Sequence, residues 1–294
     1  MMNIIISGTG LVSTNIFYQL KEKYKFYFLT TSKKKSKEKA NHYYWDPVNK
    51  IKPSMEFKNI DVIVNTSGHT INCRWTKKNK KKIIKSRVCS TQMLTEICVK
   101  NKINHFINFS AIGFYDGKDT GLKNEDSDSG KGFLSFVCKS LEKQTKKHKI
   151  KFTILRLPIV FAKKAIIWEK FNQSKNFNLF FIPIQNKYRV SWVHVKDVTR
   201  AVDFAITKKL YGTYNLCTDN SYTWEKCYKL YSESLNKKLI KIVVPLFFLR
   251  LFFGERHHIF TDIQNISNSR LINSKFKFKY VSLRTVFKQI KYKI

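Results

Sequence analysis

The stretch Asn3-Ile4-Ile5-Ile6-Ser7-Gly8-Thr9-Gly10-Leu11-Val12-Ser13 decides the fold. Its three consecutive isoleucines have the β-branched composition of a strand that is buried on both faces. A glycine turn follows, and the next apolar residues recur at helical spacing: Leu11, Val12, Ile16, Phe17 and Leu20. A strand, a glycine turn and a helix place a pyrophosphate at a helix N-terminus, where backbone N–H groups are free. The stretch therefore predicts a dinucleotide site, and the alternative is an ordinary tight turn.

The glycine pattern of this turn is incomplete. A dinucleotide fingerprint has glycine at 7 or 8, at 10 and at 13. Here Gly8 and Gly10 are present, whereas Ser13 occupies the third position. Because that position lets helix and strand pack closely, a small serine side chain costs little volume there.

Short apolar runs alternate with segments of helical periodicity through the first half of the chain. The predicted strands are 26–30, 61–68, 105–109 and 152–157, and the predicted helices are about 76–100 and 132–147. This alternation is typical of an α/β protein with a Rossmann-type, doubly wound parallel sheet. The polar segment 116–131 is predicted to be a solvated loop.

The chain carries a large excess of positive charge. Its 294 residues include 56 Lys and Arg but 20 Asp and Glu, a formal net charge of +36. Such charge can mark a nucleic-acid-binding protein, which is one hypothesis for this chain. However, the lysines are spread over nearly every polar segment and accompany no zinc-finger or RNP motif. We therefore expect no specific nucleic-acid partner.

Other features of the sequence restrict the class of protein. No N-terminal signal peptide is apparent, and the six cysteines form no CxxC pair or zinc-type cluster, so we expect reduced thiols, no metal and a cytoplasmic location. The longest apolar run, 242–253, is interrupted by Pro245 and Arg250 and is too short to span a bilayer. We interpret it as a buried core helix, with a membrane-surface helix as the alternative, and we expect no membrane insertion.

The end of the second predicted strand indicates which dinucleotide is bound. In dinucleotide-binding folds this strand end faces the adenosine ribose, where an acidic residue holds the 2′-hydroxyl of NAD. This chain has Thr31-Ser32-Lys33-Lys34-Lys35 instead. The lysines favour NADP(H) over NAD(H), because they can accommodate a 2′-phosphate, although a solvated lysine run would look the same.

Motifs in a family's order extend over nearly the whole chain. They are Ser7 to Val12, Trp45-Asp46-Pro47, Gly68 through Arg74-Trp75-Thr76, Ser86-Arg87, Ser110 to Tyr115, Phe133-Leu134, Val137-Cys138, Glu142, Leu155-Arg156, Trp192 to Asp197, Gly212 to Asn215, and Gly254-Glu255. On these motifs the chain resembles the extended short-chain dehydrogenase/reductase superfamily. More narrowly, it is similar to the atypical NAD-dependent epimerase/dehydratase-like branch called YfcH-type or cell-division-inhibitor-like.

The resemblance implies an NADP(H)-binding Rossmann domain over residues 1–235, with substrate-side segments after about 160. It also implies a small C-terminal α/β lobe over residues 239–294. The cofactor contacts that it implies are Gly8, Thr9, Gly10, Leu11 and Val12 at the pyrophosphate, Thr31 and Ser32 near the ribose phosphate, Thr66 and Ser67 after a strand, Arg87, and Ile159 on the nicotinamide side. The family usually has arginine at the position of Ser32, so a neighbouring lysine would have to replace it.

The catalytic residues of the superfamily are only partly present. Reductases of this type use a Ser or Thr, a Tyr and a Lys, and Ser110 matches the serine. Where the YxxxK pair should lie, the chain has Ser135 and Lys139, and a serine hydroxyl is a poor proton shuttle. Tyr115 is the alternative acid or base, unless it is simply a packed aromatic residue.

Three functional hypotheses follow. The first is an NADP(H)-dependent oxidoreductase or epimerase that acts on a small sugar-like or carbonyl substrate with an unusual proton donor. The second is a non-catalytic, dinucleotide-binding regulatory protein that lacks the Tyr–Lys pair. The third is the basic nucleic-acid-associated protein considered above.

Overall fold

The computed structural model describes residues 1–183, 188–219 and 221–292. The chain forms two compact units. Unit 1 comprises Met1–Phe114, Lys131–Arg156 and Val198–Tyr214, and unit 2 comprises Tyr115–Gly130, Leu157–Asp197 and Asn215–Ile294. The domain boundaries at 235 and 239 came from the family resemblance alone, and they stay a prediction.

Strands and helices alternate along the chain. The strands are β1 (Asn3–Ser7), β2 (Lys25–Thr30), β3 (His42–Tyr44), β4 (Val62–Asn65), β5 (His105–Ala111), β6 (Phe152–Leu157), β7 (Ile159–Phe161), β8 (Leu179–Pro183), β9 (Arg189–Val190), β10 (Trp192–His194), β11 (Gly212–Asn215), β12 (Tyr222–Thr223) and β13 (Ile240–Val244). The helices are α1 (Leu11–Leu20), α2 (Lys33–Glu38), α3 (Lys77–Asn101), α4 (Phe133–Lys146), α5 (Ile166–Phe177), α6 (Val195–Thr207), α7 (Trp224–Leu235), α8 (Leu246–Phe253), α9 (His258–Thr261), α10 (Ser269–Asn273) and α11 (Leu283–Tyr292).

A seven-stranded sheet organises unit 1. The strand order is β11-β6-β5-β4-β1-β2-β3, and β1 pairs in parallel with both β2 and β4. The order along the chain therefore reverses between β1 and β4. In open α/β sheets, ligands bind beyond the carboxyl ends of the strands at such a switch point. The predicted Rossmann-type α/β fold is confirmed.

Helix α3 packs against the central strands and buries Met93, Leu94 and Ile97. It begins after Thr76, whose hydroxyl accepts from the Asn79 N–H, and it ends at Lys102, which adopts a left-handed conformation. The core beneath it combines residues of four strands with residues of the helix: Ile5, Leu29, Ile63, Phe106, Met93, Leu94 and Ile97. Burial of such side chains contributes roughly 1.5–3 kcal/mol each.

Short strand pairs and an aromatic core form unit 2. Strand β7 pairs in parallel with β10, β8 pairs in parallel with β13, and β9 pairs antiparallel with β12. Helices α5, α7 and α11 contribute rings that pack within about 5–7 Å of one another. These rings belong to Trp168, Phe171, Tyr231 and Phe287.

One sequence interpretation was wrong, and a second was correct for most but not all of its residues. The apolar run was expected to be a buried helix, but Leu249 is the buried member of α8 and most of its aromatic residues face solvent. The segment 116–131 was expected to be a solvated loop, yet Lys123 and Glu125 are buried. Lys123 makes two backbone hydrogen bonds to the segment around Ile266, so the loop is held by the C-terminal part of the chain. Hydropathy could not reveal either outcome, because each depends on partners distant in sequence.

Within the described ranges, no helix is both long and apolar enough to cross a membrane. All six cysteines are free thiols, as expected.

Candidate functional site

The glycine turn between β1 and α1 has the geometry of an anion cradle. Gly8 adopts φ +91°, a conformation that side-chain-bearing residues rarely adopt, and a Cβ there would lie 2.9 Å from the Thr66 Oγ1. Gly10 precedes the ten-residue helix α1, and no described side chain caps the helix there. A Cβ at Gly10 would meet no atom within 4 Å. The turn therefore leaves open space directly before the positive end of a helix dipole.

Buried polar side chains hold the strand ends beneath the turn. The Ser7 hydroxyl donates to the Asn65 Oδ1 at 2.6 Å, and the Asn65 amide donates to the Asn108 Oδ1 at 3.0 Å. Asn108 in turn donates to the Thr145 hydroxyl at 2.7 Å. The Ser67 N–H donates to the Asn65 Oδ1, so this network also orients the segment after β4. Sequence reasoning missed Asn65 and Asn108, although each lies at the polar end of an apolar run.

The end of β2 directs one lysine towards the glycine turn. The Ser32 hydroxyl accepts from the Lys35 N–H and begins α2, and the Lys35 Nζ donates to the Thr9 hydroxyl at 3.0 Å. The two other lysines of the run point elsewhere. Lys33 lies over the Tyr44 ring, and Lys34 lies 3.8 Å from the Glu38 carboxylate.

Arg87 holds the segment that follows β4 in place through a hydrogen bond. Its Nη1 donates to the His69 carbonyl at 2.8 Å, while the His69 N–H donates to the Ser86 hydroxyl at 2.8 Å. A Cβ at Gly68 would lie 2.8 Å from the Arg87 Cζ, so the glycine makes room for the guanidinium. Burial lowers the pKa of Arg87 from its ordinary value.

Ser110 belongs to a buried ionic cluster. Its hydroxyl donates to the Glu142 Oε1 at 2.7 Å. Arg156 donates to both oxygens of the same carboxylate at 2.9 Å, and its guanidinium lies 3.6 Å from the centre of the Phe114 ring. The charges of Glu142 and Arg156 are thus paired in a two-pronged arrangement, which offsets part of the cost of burying them.

The positions of the missing Tyr–Lys pair do not form an acid–base site. The Ser135 hydroxyl is buried and donates to the Phe114 carbonyl at 2.7 Å. Lys139 is exposed, four residues further along α4. Because the Ser135 proton is held by a carbonyl oxygen, this pair does not reproduce a phenol with a nearby ammonium group.

Tyr115 lies in a buried polar cluster of unit 2. Its hydroxyl donates to the Asn215 Oδ1 at 2.7 Å. The Asn215 N–H donates to the Glu125 carboxylate at 2.8 Å, and its side-chain amide donates to the Ser267 carbonyl. Tyr115 is therefore positioned by a hydrogen bond as well as by packing.

The remaining candidates also lie in unit 2. Ile159 begins β7, opposite Trp192 of β10. His194 stacks on Tyr280 with ring centres 4.1 Å apart, and burial lowers its pKa to about 4. The Asp197 carboxylate accepts from the backbone N–H groups of Lys279 and Tyr280. His194 is therefore held within the fold by stacking and burial.

The residues present fit a dinucleotide in unit 1. The fit rests on the open space at Gly10, the left-handed Gly8, and a lysine ammonium at Thr9. Thr66 contacts the turn, because its hydroxyl donates to the Ser7 carbonyl at 2.6 Å, and Thr31 is exposed at the end of β2. Within the described residues, no group of three His, Cys, Asp or Glu side chains could hold a metal ion.

Comparisons with known proteins agree with this geometry. A sequence model of the NAD-dependent epimerase/dehydratase family matches residues 4–217. The epimerase family protein SH2119 of Staphylococcus haemolyticus is 26% identical over 307 residues, covering 98% of both chains. The structure is similar to that of human epimerase family protein SDR39U1 (isoform 2) with NADPH, with a TM-score of 0.88, 18% identity and full coverage of both chains.

A more distant structural similarity points to the same fold. MoeE5 in complex with UDP-glucuronic acid and NAD aligns with a TM-score of 0.76 and 15% identity, covering 98% of both chains. At these identities the structural similarities establish the fold, whereas the sequence match covers most of the chain. The protein therefore belongs to the NAD-dependent epimerase/dehydratase family.

Proposed function

We propose that this protein binds NADP(H) at the switch point of the unit 1 sheet and acts as an oxidoreductase or epimerase on a small carbonyl or sugar-like substrate. The proposal rests on the open space at Gly10, next to which the Lys35 ammonium donates to the Thr9 hydroxyl. The family match adds that relatives with this sequence pattern are grouped as NAD-dependent.

Each residue of the proposed site would contact a particular part of the cofactor. The turn from Gly8 to Val12 would bind the pyrophosphate, because free N–H groups and a helix dipole favour negative charge there. Thr31 and Ser32 would lie near the adenosine ribose, and Thr66 and Ser67 would flank the cofactor after β4. The family resemblance adds Arg87, and Ile159 of unit 2 on the nicotinamide side.

Lys35 would select NADP(H) over NAD(H). The family's usual arginine is replaced by Ser32, and Ser32 instead begins the helix that carries Lys35. The Lys35 Nζ is 3.0 Å from the Thr9 hydroxyl, within the turn that would bind the pyrophosphate. A lysine is a flexible point charge, so it can contact a 2′-phosphate from a position different from that of an arginine.

Bound NADP(H) supplies or accepts the hydride. The groups proposed to act on the substrate are Ser110 and Tyr115. Ser110 could hold a substrate oxygen once its hydroxyl turns from Glu142, and Tyr115 could donate or accept a proton while Asn215 positions it.

A second function, dinucleotide binding without catalysis, is favoured by one specific observation. The Ser135 proton is held by a carbonyl and Lys139 is exposed, so the usual proton relay of the superfamily is missing. In this alternative the protein would bind NADP(H) and regulate a partner without turning over a substrate.

The first experiment is calorimetric titration with NADPH, NADH and ATP at about 0.15 M salt, where the Debye length is about 8 Å. ATP is the control for the lysines, because its triphosphate is attracted by the net charge of +36 without having a nicotinamide. We expect NADPH to bind more tightly than both NADH and ATP. Equal binding of all three would contradict the proposed site.

A second measurement separates the two functions. Loss of NADPH absorbance with a panel of small aldehydes, ketones and nucleotide sugars would support an oxidoreductase, and interconversion of sugar epimers would support an epimerase. NADPH binding without turnover of any of these compounds would favour the regulatory alternative.

A further inference from the structure

Helix α8 presents a continuous apolar face to solvent. Its four outward side chains are Phe247, Phe248, Leu251 and Phe252, with exposed fractions of 70%, 47%, 63% and 73%. The rings of Phe247 and Phe248 are 5.7 Å apart, and Phe248 stacks on Phe252 at 6.5 Å. We call these four residues the α8 surface. Exposed apolar residues are ordinary when they are single, but a contiguous group of this size marks an interaction site.

The helical geometry places these four side chains on one face of α8. At 100° per residue, the α8 surface occupies an arc of roughly 140° that contains no polar residue. Leu249 is buried on the opposite side of α8 and attaches the helix to unit 2. The helix is therefore apolar on two faces, and unit 2 covers one of them.

The strand pair that precedes α8 also carries exposed apolar side chains. Ile240 and Val243 of β13 are 55% and 43% exposed, and Phe181 of β8, which pairs with Ile242, is 57% exposed. Strand β13 continues into α8 through Pro245 alone. Exposed apolar side chains therefore occur on α8 and on the strand pair of the same unit.

Basic residues predominate between Glu233 and Glu255, the two acidic residues that flank this region. Residues 234–254 contain Lys237, Lys238, Lys241 and Arg250 but no acidic residue. Lys241 pairs with Glu225 of α7 at 3.2 Å, whereas Arg250 is exposed at one edge of the α8 surface. An apolar face with basic residues beside it is the pattern of proteins that adsorb to anionic lipid headgroups.

We propose that the α8 surface docks onto an anionic lipid bilayer. The phenylalanine and leucine side chains enter the boundary between headgroups and acyl chains, while Arg250 and the lysines before β13 lie among the lipid phosphates. Charge complementarity favours an anionic bilayer over a second copy of this chain as the binding partner of the α8 surface. A second copy of a chain with net charge +36 is repelled, whereas an anionic bilayer is attracted. Docking of this kind leaves α8 on one side of the bilayer and needs no spanning helix.

The test is co-sedimentation of the full chain with two kinds of vesicle. One kind contains phosphatidylcholine alone, and the other contains equal parts of phosphatidylcholine and phosphatidylglycerol. The test variant is Phe247→Ser/Phe252→Ser, which replaces the two most exposed side chains of the α8 surface. The matched control is Tyr18→Ser/Leu122→Ser, whose side chains are 67% and 66% exposed on other elements. Both variants retain every basic residue, and thermal unfolding checks that both remain folded.

We expect the parent chain and the control variant to sediment with anionic vesicles and not with pure phosphatidylcholine. We expect the partition coefficient of the α8 variant to fall roughly tenfold or more. Equal binding of both variants would overturn the proposal, because lysines alone would then explain adsorption. Absence of binding by the parent chain would also overturn it. So would a doubled mass in light scattering that Phe247→Ser/Phe252→Ser abolishes, because a second copy would then cover this face.

Discussion

A dinucleotide-binding reductase uses the glycine turn to bind its cofactor and helix α4 to carry catalytic side chains. In unit 1 of this protein the two regions differ in how much space they leave for a ligand. At the turn, Gly10 leaves open volume before α1. Along α4, the side chains of Ser135 and Glu142 are buried and hydrogen bonded within the protein. The glycine turn therefore has room for a ligand, whereas Ser135, at the usual tyrosine position, takes part in internal structure.

This difference shows that one fold can keep a binding feature and lose the usual proton relay. Binding of a pyrophosphate depends on backbone N–H groups and on missing side chains, so most substitutions nearby leave it intact. A Tyr–Lys relay depends on two particular side chains, and a single substitution removes it. The predictions below test each half of the comparison.

The largest effect is expected in the ionic cluster of α4. Arg156→Met should lower the free energy of unfolding by about 3–5 kcal/mol, because the buried Glu142 carboxylate would keep only the Ser110 hydrogen bond and Lys146, whose Nζ is 3.9 Å away. Chemical denaturation measures this change. The double variant Glu142→Gln/Arg156→Met should recover part of the loss, since both charges are then absent. A loss below about 1 kcal/mol for Arg156→Met would contradict the structural role of the pair.

At the glycine turn, Gly10→Val should weaken NADPH binding roughly hundredfold, because its side chain would fill the space for the pyrophosphate. The matched control is Gly132→Val, which also places a side chain in open space before a helix, here α4. We expect the control to bind NADPH normally in the same calorimetric titration. Unchanged NADPH affinity in Gly10→Val would remove the site assignment.

The choice of dinucleotide provides a smaller effect. Lys35→Gln should weaken NADPH binding roughly tenfold and NADH binding less, because only NADPH has the 2′-phosphate that Lys35 would contact. Lys34→Gln is the control with the same change in net charge, and its lysine lies beside Glu38 instead. Equal losses in both variants would indicate general attraction by lysines.

The smallest stability effect is expected at Tyr115. Tyr115→Phe should lower the free energy of unfolding by about 1 kcal/mol, because the buried Asn215 amide loses a hydrogen bond. It should also reduce any hydride transfer while NADPH binding is retained. Tyr231→Phe is the control, since it removes another buried tyrosine hydrogen bond of unit 2, that to the Phe171 carbonyl. Turnover that is equal in both variants would rule out an acid–base role for Tyr115.

The fold could be predicted to a large extent from local patterns. The predicted strand 105–109 corresponds to β5 and the predicted helix 132–147 to α4, with differences of one or two residues at the ends. These elements are strongly periodic, so hydropathy alone indicates which face is buried. The surface position of α8 could not be predicted in this way, because apolar residues on all sides of a helix are the usual sign of burial.

The site was less predictable than the fold. Gly8 and Gly10 were visible because their effect is local, and the roles of the other proposed site residues stay predictions. Lys35 could not be distinguished from Lys33 and Lys34, since which lysine reaches Thr9 depends on how α2 begins at Ser32. Similarly, Glu142, which accepts the hydrogen bond of the Ser110 hydroxyl, lies 32 residues further along the chain, so local sequence patterns could not indicate this pair.

The amino-acid sequence by itself determined the α/β class, the strand–turn–helix at the N-terminus and the family, because these depend on periodicity and motif order. Only the tertiary structure decided which polar side chains are used internally and which surfaces stay open. Asn65, Glu142 and Asn215 form hydrogen bonds with residues far away in the chain, whereas Phe247, Phe248 and Phe252 of α8 stay exposed to solvent. The physical reason is that burial and hydrogen bonding depend on which elements meet in space.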